Sequence, residues 1–317
     1  MNFLVTGGAG FIGSHVCERL LKDGHTVCAF DDLNDSYNPV LKHRNLAGLN
    51  VLNGPFEFIQ GDLLDLQALE AVFHRMRFEQ IIHLAARAGV RPSLEAPALY
   101  QRVNVEGTVN VLETARRYRV TKIIMASSSS VYGVNAKVPF SETDPIFSPI
   151  SPYASSKLAC EALGHVYHHV YGMDVAALRF FTVYGPRQRP DLAINKFALL
   201  MAAGKPIPVF GDGHTSRDYT FISDIVEGVM AATRREFGFE IINLGGSHPT
   251  ELNRLIELLE SATGIIARID RKPMQAGDVP TTYADVSRAQ RLLGYQPRVR
   301  IEEGIPRFVE WFRQQPN

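Results

Sequence analysis

Four glycines set between a short apolar run and an amphipathic one constrain this chain more than any other feature. Phe3 to Val5 reads as a buried strand, and Ser14 to Lys22 carries Val16, Leu20 and Leu21 at helical spacing. Between them lie Gly7, Gly8, Gly10 and Gly13, which fit both G-x-G-x-x-G and G-x-x-G-x-x-G. Glycines there let the backbone turn sharply and approach a pyrophosphate, with free N–H groups and the helix dipole facing the anion. The match alone is weak, but its context is the one the motif requires. Thr26 to Phe30 makes a second strand that ends in Asp31 and Asp32, where a carboxylate meets a ribose.

The alternation continues along the chain. Asp32 to Pro55 is polar and reads as an irregular surface segment. Phe56 to Gln60 forms a third strand closing in Gly61-Asp62-Leu63, Leu66 to Met76 a helix, and Gln80 to Leu84 a fourth strand followed by small residues, Ala85 to Gly89. Ala98 to Arg117 has one long helical pattern, and Lys122 to Ala126 is a fifth strand ending in the hydroxyls of Ser127, Ser128, Ser129 and Ser130. Any one of these serines alone is equally a turn or cap residue. A helix then starts with Ser151 as N-cap and Pro152 at its first position. Met173 to Arg179 is a sixth strand, and the loop from Phe180 to Asp191 swings out with Arg179, Arg187 and Arg189 grouped on it. Asn195 to Gly204 predicts a helix, Ile207 to Phe210 a strand, and Glu302 to Arg313 a closing helix with Ile305, Phe308, Trp311 and Phe312 inward. The stretches 221–234 and 241–246 read as a return to the first sheet.

The expected fold is therefore α/β: a doubly wound parallel Rossmann sheet with a smaller, discontinuous α/β substrate-binding domain. The expected division is 1–179 with 219–246 for the dinucleotide-binding domain, and 180–218 with 247–317 for the substrate lobe. At 317 residues the chain has room for both.

Charge excludes several function classes. With 33 basic residues against 33 acidic ones, no global field favours nucleic acid or a membrane surface, so an anionic ligand must be met by a few placed cations. The three cysteines, Cys17, Cys28 and Cys160, have no metal-ligand spacing and read as core residues in a reducing compartment. There is no basic-then-apolar leader and no apolar run of transmembrane length, and the reading is cytoplasmic. His165 and His169 stand one turn apart without a third ligand or an intervening H-E-x-x-H glutamate, so no metal is expected. His83 closes a buried strand and reads as packing or backbone positioning.

The chemistry concentrates in Tyr153-Ala-Ser-Ser-Lys157. Tyr and Lys four apart share a helix face, so the ammonium can lie beneath the phenol and favour its ionised form. Y-x-x-x-K is common, but together with a glycine loop and a serine at an intervening strand end it becomes diagnostic. On these residues the chain resembles the extended short-chain dehydrogenase/reductase superfamily over essentially its full length: Thr6-Gly7-x-x-Gly10-x-x-Gly13, Asp31, Gly61-Asp62, His83-Leu-Ala-Ala86, Asn104, Ser127-Ser128 and Tyr153-x-x-x-Lys157. Within it, Ala88-Gly-Val-Arg-Pro-Ser93, Ser127 to Gly133, Leu178 to Asp191 and Met274 to Pro280 are similar to the UDP-glucuronate 4-epimerases.

The resemblance implies an NAD-dependent isomerase and assigns roles. Ser128, Tyr153 and Lys157 are the implied catalytic residues. NAD is implied to lie against Gly7, Gly10, Phe11, Ile12, Gly13, Asp31, Asp62, Leu63, Leu84, Ala85, Ala86 and Asn104, as well as Tyr153 and Lys157. A UDP-sugar is implied to contact Arg91, Ser129, Ser130, Thr182, Arg189, Arg217 and Asp285, with Thr182 and Arg189 receiving a sugar carboxylate and Arg217 the diphosphate; an Arg217–Asp218 structural pair is the alternative for the last. Neutral-sugar epimerases carry Asn at the Thr182 position. An Arg that galactose-type relatives hold near Gln275 is missing, with Arg271 or Lys272 as candidate substitutes. A homodimer through the helices around 98–117 and 152–170 is also implied.

The implied reaction is epimerisation of UDP-glucuronate to UDP-galacturonate through a 4-keto intermediate. Dehydratases place Asp-Glu where Ser129 and Ser130 stand, and UDP-glucuronate decarboxylases an acidic residue at Ser130. The decarboxylase, a neutral or N-acetyl UDP-hexose 4-epimerase and, more remotely, a non-catalytic NAD-binding regulator stay open as alternatives.

Overall fold

The structure, a computed structural model, describes residues 1–134, 137–274 and 279–315. Its first half alternates strand and helix: β1 (Asn2–Thr6), α1 (Phe11–Lys22), β2 (Thr26–Asp31), α2 (Pro39–Asn50), β3 (Phe56–Gln60), α3 (Leu66–Arg75) and β4 (Gln80–His83). Two short helices, α4 (Val90–Glu95) and α5 (Pro97–Gln101), lead through a π-helical turn at Arg102–Glu106 into α6 (Gly107–Arg117), β5 (Lys122–Ser128), α7 (Pro152–Tyr171) and β6 (Asp174–Phe180). The rest is β7 (Thr182–Tyr184), α8 (Ala193–Ala202), β8 (Ile207–Phe210), β9 (Ser216–Phe221), α9 (Ile222–Thr233), β10 (Phe239–Leu244), β11 (Pro249–Glu251), α10 (Leu252–Thr263), β12 (Ile269–Lys272), α11 (Ser287–Leu293) and α12 (Ile301–Arg313).

Seven strands form one parallel sheet in the order β10-β6-β5-β4-β1-β2-β3. Their sequences are apolar on consecutive residues because both faces are covered. Phe3, Val5, Val27, Ala29, Ile82 and Ile124 enter one buried cluster, while the intervening Leu4, Cys28, Ile81 and Ile123 enter another on the opposite face. From β1 the chain winds outward to β3 and then crosses to β4 on the other side of β1, so the strand order reverses beside β1. Ligands of such sheets bind at that reversal, outside the carboxyl ends of the strands. The return predicted for 241–246 is β10, paired with β6. Two small sheets, β11-β9-β7 and β12-β8, carry the chain outside the large one.

Three expectations need correction. Within the segment read as irregular, residues 39–50 form α2: Pro39 sits in its first turn and the Asn38 side chain accepts from Val40 N at 3.1 Å, a start signal offset by weak apolar periodicity. The pattern over 98–117 is broken by the π-helical turn centred on Asn104, a wide turn that helices use where a side chain must be re-aimed. Arg179 is not on the exposed loop; it is the sixth residue of β6 and buried.

The start of α7, the cysteines and the closing helix are as the sequence predicts. Ser151 Oγ accepts from Ala154 N at 3.1 Å and caps α7. Cys17, Cys28 and Cys160 are free and buried. Ile305 and Phe308 are fully buried, with Trp311 and Phe312 half-buried against the same cluster. Among the described residues no helix is long and apolar enough to cross a membrane, and no group of three His, Cys, Asp or Glu is placed to hold a metal. His165 and His169 are exposed, their rings parallel with centroids 6.1 Å apart.

Candidate active site

A cleft of about 400 Å³ runs across the carboxyl ends of β1, β2, β4, β5 and β6. The β1–α1 turn supplies Gly7, Gly10, Phe11, Ile12 and Gly13 to its wall; Asp31 comes from the end of β2, and Asp62 and Leu63 from just beyond β3. Leu84, Ala85 and Ala86 follow β4.

The glycines serve different needs. Gly7 has φ of +71°, and a Cβ on it would lie 2.8 Å from Ala85 N; one on Gly13 would lie 2.0 Å from Gly7 O. Both are demanded by the protein's own packing. At Gly10 the nearest atoms to such a Cβ are Gly7 O at 3.2 Å and the Tyr37 hydroxyl at 4.0 Å. That position faces the cleft, so glycine there leaves room for whatever occupies it.

Asp31 is buried and accepts from Leu33 N at 2.9 Å and Lys42 Nζ at 3.3 Å. Burial pushes its carboxyl up, against the pull of Lys42. Tyr37 also lines the cleft, with Lys42 Nζ 5.4 Å and the Arg189 guanidinium 5.8 Å from its ring centre. Asn34, Ser36, Tyr37 and Lys42 are cleft residues the sequence reading missed. The Asn38-Pro39 helix start was the available signal, since a helix there brings the preceding loop over the strand ends.

Ser128, Tyr153 and Lys157 line the same cleft. The cap at Ser151 puts Tyr153 in the first turn of α7, with its ring edge-on to Tyr100 at 6.2 Å. Lys157, one turn on and buried, donates to Ala126 O at 2.8 Å. Ser128 Oγ lies 3.1 Å from Ser130 Oγ and accepts from Ser130 N at 3.2 Å.

Beneath these groups lies a buried ion pair. Glu161, a further turn along α7, receives Arg179 through two bonds of 2.8 Å and the Ser127 hydroxyl at 2.5 Å. Both charged side chains are 3% exposed. The Arg179 guanidinium stacks 4.8 Å over Tyr132, whose hydroxyl donates to Asn243 Oδ1 at 2.7 Å. Helix α7 is thus clamped to β5 and β6 directly under Ser128. His83 makes a smaller clamp, its ring nitrogens 2.7 Å from Thr6 Oγ1 and 3.0 Å from Thr108 Oγ1. Burial lowers its pKa to about 3, which favours the neutral ring, and its two bonds tie β4 to β1 and to α6.

Ser129, Ser130 and Thr182 line both this cleft and a second one of about 150 Å³, which also contains Arg217 and Thr282. Arg189 lines the first cleft, its Nε and Nη2 donating to Asp191 at 3.0 and 2.6 Å. Arg187, grouped with it in the sequence, instead pairs with Glu18 of α1. Asp218 accepts from Gly246 N at 2.6 Å, Ala284 N at 2.9 Å and Ser247 N at 3.0 Å, so its carboxylate is held by backbone N–H groups. Burial raises its pKa to about 6.

Three residues named from the sequence are not lining residues of either cleft. Arg91 is exposed and stacks 4.6 Å over Phe210. Asp285 accepts from Ser287 N at 2.9 Å at the start of α11. Asn104 is buried, its amide bonded to the backbone of Arg87 and to Ser156 Oγ. Arg271 and Lys272 lie on β12, Lys272 paired with Asp270; Gln275 and most of the Met274 to Pro280 stretch lie outside the described residues.

Comparison with known proteins places the chain in a family. A family profile described as GDP-mannose 4,6 dehydratase matches residues 4–308. The chain is 44% identical to a UDP-glucuronate 4-epimerase of Thermodesulfobacterium geofontis, over 98% of this chain and 96% of that one. It superposes with a TM-score of 0.92 and 36% identity on a UDP-glucuronic acid 4-epimerase from Bacillus cereus crystallised with UDP-glucuronic acid and NAD, covering 99% of each. A UDP-glucose 4-epimerase from Thermotoga maritima, solved with UDP-glucose, gives 0.91 at 36% identity and the same coverage. The chain belongs to the extended short-chain dehydrogenase/reductase superfamily, in its nucleotide-sugar epimerase and dehydratase family.

Proposed function

We propose that this protein is an NAD-dependent 4-epimerase of a UDP-hexuronic acid, interconverting UDP-glucuronate and UDP-galacturonate. The observation that carries the reading is one cleft in which Ser128, Tyr153 and Lys157 stand together with Thr182 and Arg189, below a glycine turn open at Gly10. That turn and Asp31 fit a nicotinamide dinucleotide, which when bound supplies a reversible hydride acceptor for the sugar's carbon 4.

The chain's own residues then handle the proton and the carboxylate. Tyr153 takes the proton of the 4-hydroxyl and returns it after the 4-keto sugar has turned over. Ser128 turns its hydroxyl from Ser130 Oγ to donate to the oxygen as charge develops on it, while Ser130 N still donates to Ser128 Oγ. Lys157 lies on the same face of α7 as Tyr153 and adds positive charge beneath it. Thr182 and Arg189 receive the sugar carboxylate, a planar match for a guanidinium. In this division, residues 1–179 and 219–246 hold the dinucleotide and 180–218 and 247–317 the nucleotide sugar. The protein works as a homodimer in the cytoplasm. Exposed Leu94, Leu99, Val166 and Val170 on α4, α5 and α7 support the first statement, and three free buried thiols the second.

A second reading, epimerisation of a neutral UDP-hexose, is favoured by Asp191, which already engages Arg189. Proton NMR of the protein incubated with UDP-glucuronate, beside a UDP-glucose sample, separates the two. Growth of UDP-galacturonate signals to a stable mixture is expected, with turnover lowered by roughly 10²–10⁴ in Tyr153→Phe. UDP-glucose turning over alone would establish the second reading, and UDP-xylose would make the protein a decarboxylase.

A further inference from the structure

Arg187 stands where the backbone favours another residue. Gln188 N donates to Gly185 O at 3.2 Å, closing a turn with Pro186 at its second position and Arg187, at φ +63°, at its third. A proline followed by a positive φ is the type II pattern, whose third position suits glycine because an L side chain is strained there. The chain instead carries a long cation at that point. Strain of this kind persists only where surrounding contacts over-determine it, so the side chain has to be accounted for.

It reaches away from its own lobe. Arg187 Nη2 donates to Glu18 Oε2 at 2.5 Å, and Nη1 makes a longer contact of 3.5 Å with Ser14 Oγ. Glu18 is braced in turn, its Oε1 accepting from Lys22 Nζ at 2.6 Å. Ser14, Glu18 and Lys22 all stand on α1, the helix that begins at the glycine turn. The neighbours of Arg187 face the other way. Gln188 is buried, its Nε2 donating to Val183 O at 3.3 Å and its carbonyl accepting from Asn195 Nδ2 at 2.6 Å, while Leu192 N donates to Arg189 O at 3.2 Å. Among the described residues, the loop 185–192 therefore hydrogen-bonds to α1 through Arg187 alone. Arg187 lines neither cleft, whereas Arg189, two residues on, lines the first.

We propose that Arg187 is a positioning residue for sugar selectivity: braced on Glu18, it fixes the 185–192 loop against α1 and so sets where Arg189 meets the sugar carboxylate. The inference rests on the proposed epimerisation of a UDP-hexuronic acid and adds to it a residue outside the cleft. Bonds between a guanidinium and a carboxylate are planar and weaken steeply with misalignment, so a backbone shift two residues away costs a uronic acid. A neutral hexose has no carboxylate to misalign. Because α1 starts at the glycine turn, the brace registers Arg189 to the dinucleotide side of the cleft rather than to the loop's own lobe. Hydride transfer depends on that registration, since the reacting carbon must be held against the cofactor.

The test uses the full chain with NAD⁺ added, as wild type, Arg187→Ala, Arg187→Gly, Arg187→Lys and Glu18→Gln. It measures kcat and KM for UDP-glucuronate, the Kd of UDP-glucose by calorimetry, and urea unfolding. Arg187→Gly should be more stable than Arg187→Ala, since glycine relaxes the turn. Both should nonetheless raise KM for UDP-glucuronate by about 5–20-fold, as for a misaligned hydrogen bond to a charged group, with kcat changed by less than about threefold. Arg187→Lys should fall between them and the wild type, because an ammonium keeps the charge but loses the fork. Glu18→Gln should raise KM by about 2–5-fold, as for loss of a partly exposed ion pair. UDP-glucose should bind all of these proteins alike. An unchanged KM for UDP-glucuronate in Arg187→Gly would overturn the brace alone. So would an equal weakening for UDP-glucose, which would mark a general support of the loop, or a rise in KM for Arg187→Ala that Arg187→Gly does not share, which would mark backbone strain. No turnover of UDP-glucuronate by the wild type would overturn the proposed function and the brace together.

Discussion

Two buried carboxylates anchor the two clefts, and they do it by opposite means. Glu161, under Ser128, is neutralised by the two-bonded Arg179. Asp218, behind the second cleft, has three backbone N–H groups from the 246–247 and 284 segments. An ion pair in good geometry fixes a helix to a sheet through paired charge, whereas the Asp218 carboxyl, held by N–H groups and the Thr220 hydroxyl, is pushed by burial up to about 6. The cleft that holds Ser128 and Tyr153 is therefore fastened by a charge pair, and the second cleft is backed by a pH-sensitive fastening.

The comparison breaks first at Glu161. Replacing it by leucine leaves Arg179 buried and uncompensated, and urea unfolding should show a loss of about 3–5 kcal/mol. A Glu161→Leu, Arg179→Met double variant should recover much of that loss. A double variant no better than the single one would mean that the pair is more than an anchor.

Asp218 sharpens the contrast through pH. Its folded pKa of about 6 lies above its ordinary 3.8, so between these values the folded protein keeps a proton that the unfolded chain has lost. Wild-type stability relative to Asp218→Asn is therefore greatest below about pH 4 and falls as pH rises through about 6, by at most roughly 1.4 kcal/mol per pH unit. Below that window both side chains are neutral, but the amide puts an NH2 group where the acid keeps an oxygen able to accept from an N–H, so Asp218→Asn should be the less stable by about 1–3 kcal/mol. Parallel stability curves for the two proteins would remove Asp218 as the titrating fastening.

The smallest effect is expected at Ser151, the cap of the same helix that Glu161 anchors. Ser151→Ala should cost about 1 kcal/mol with turnover within a few-fold of wild type. A collapse of turnover would show that the cap, rather than the ion pair, places Tyr153.

Much of this site was readable because its parts are local. A glycine turn between a strand and a helix, a Ser-Pro helix start, and a Tyr-Lys pair one turn apart each depend on fewer than about a dozen neighbouring residues, where propensity and spacing are decisive. The misreadings share a different cause. Tyr37 and Lys42 were hidden in a segment without strong apolar periodicity, and Arg179 looked like a loop cation because it stands near a strand end. The partners of Asn104 are likewise set by tertiary contact, its amide bonding a neighbouring loop and helix.

The order of secondary-structure elements and the two-faced burial of the strands follow from composition and periodicity, which act over one element at a time. Partner choice among the charged groups does not. Arg179 meets Glu161 because β6 lies beside β5 under α7, Arg87 meets Ser36 across the loops flanking β1, and Asp218 gathers N–H groups from two distant segments. Such contacts form only when the strand order β10-β6-β5-β4-β1-β2-β3 has brought remote stretches together, and their strength comes from the burial that this packing creates.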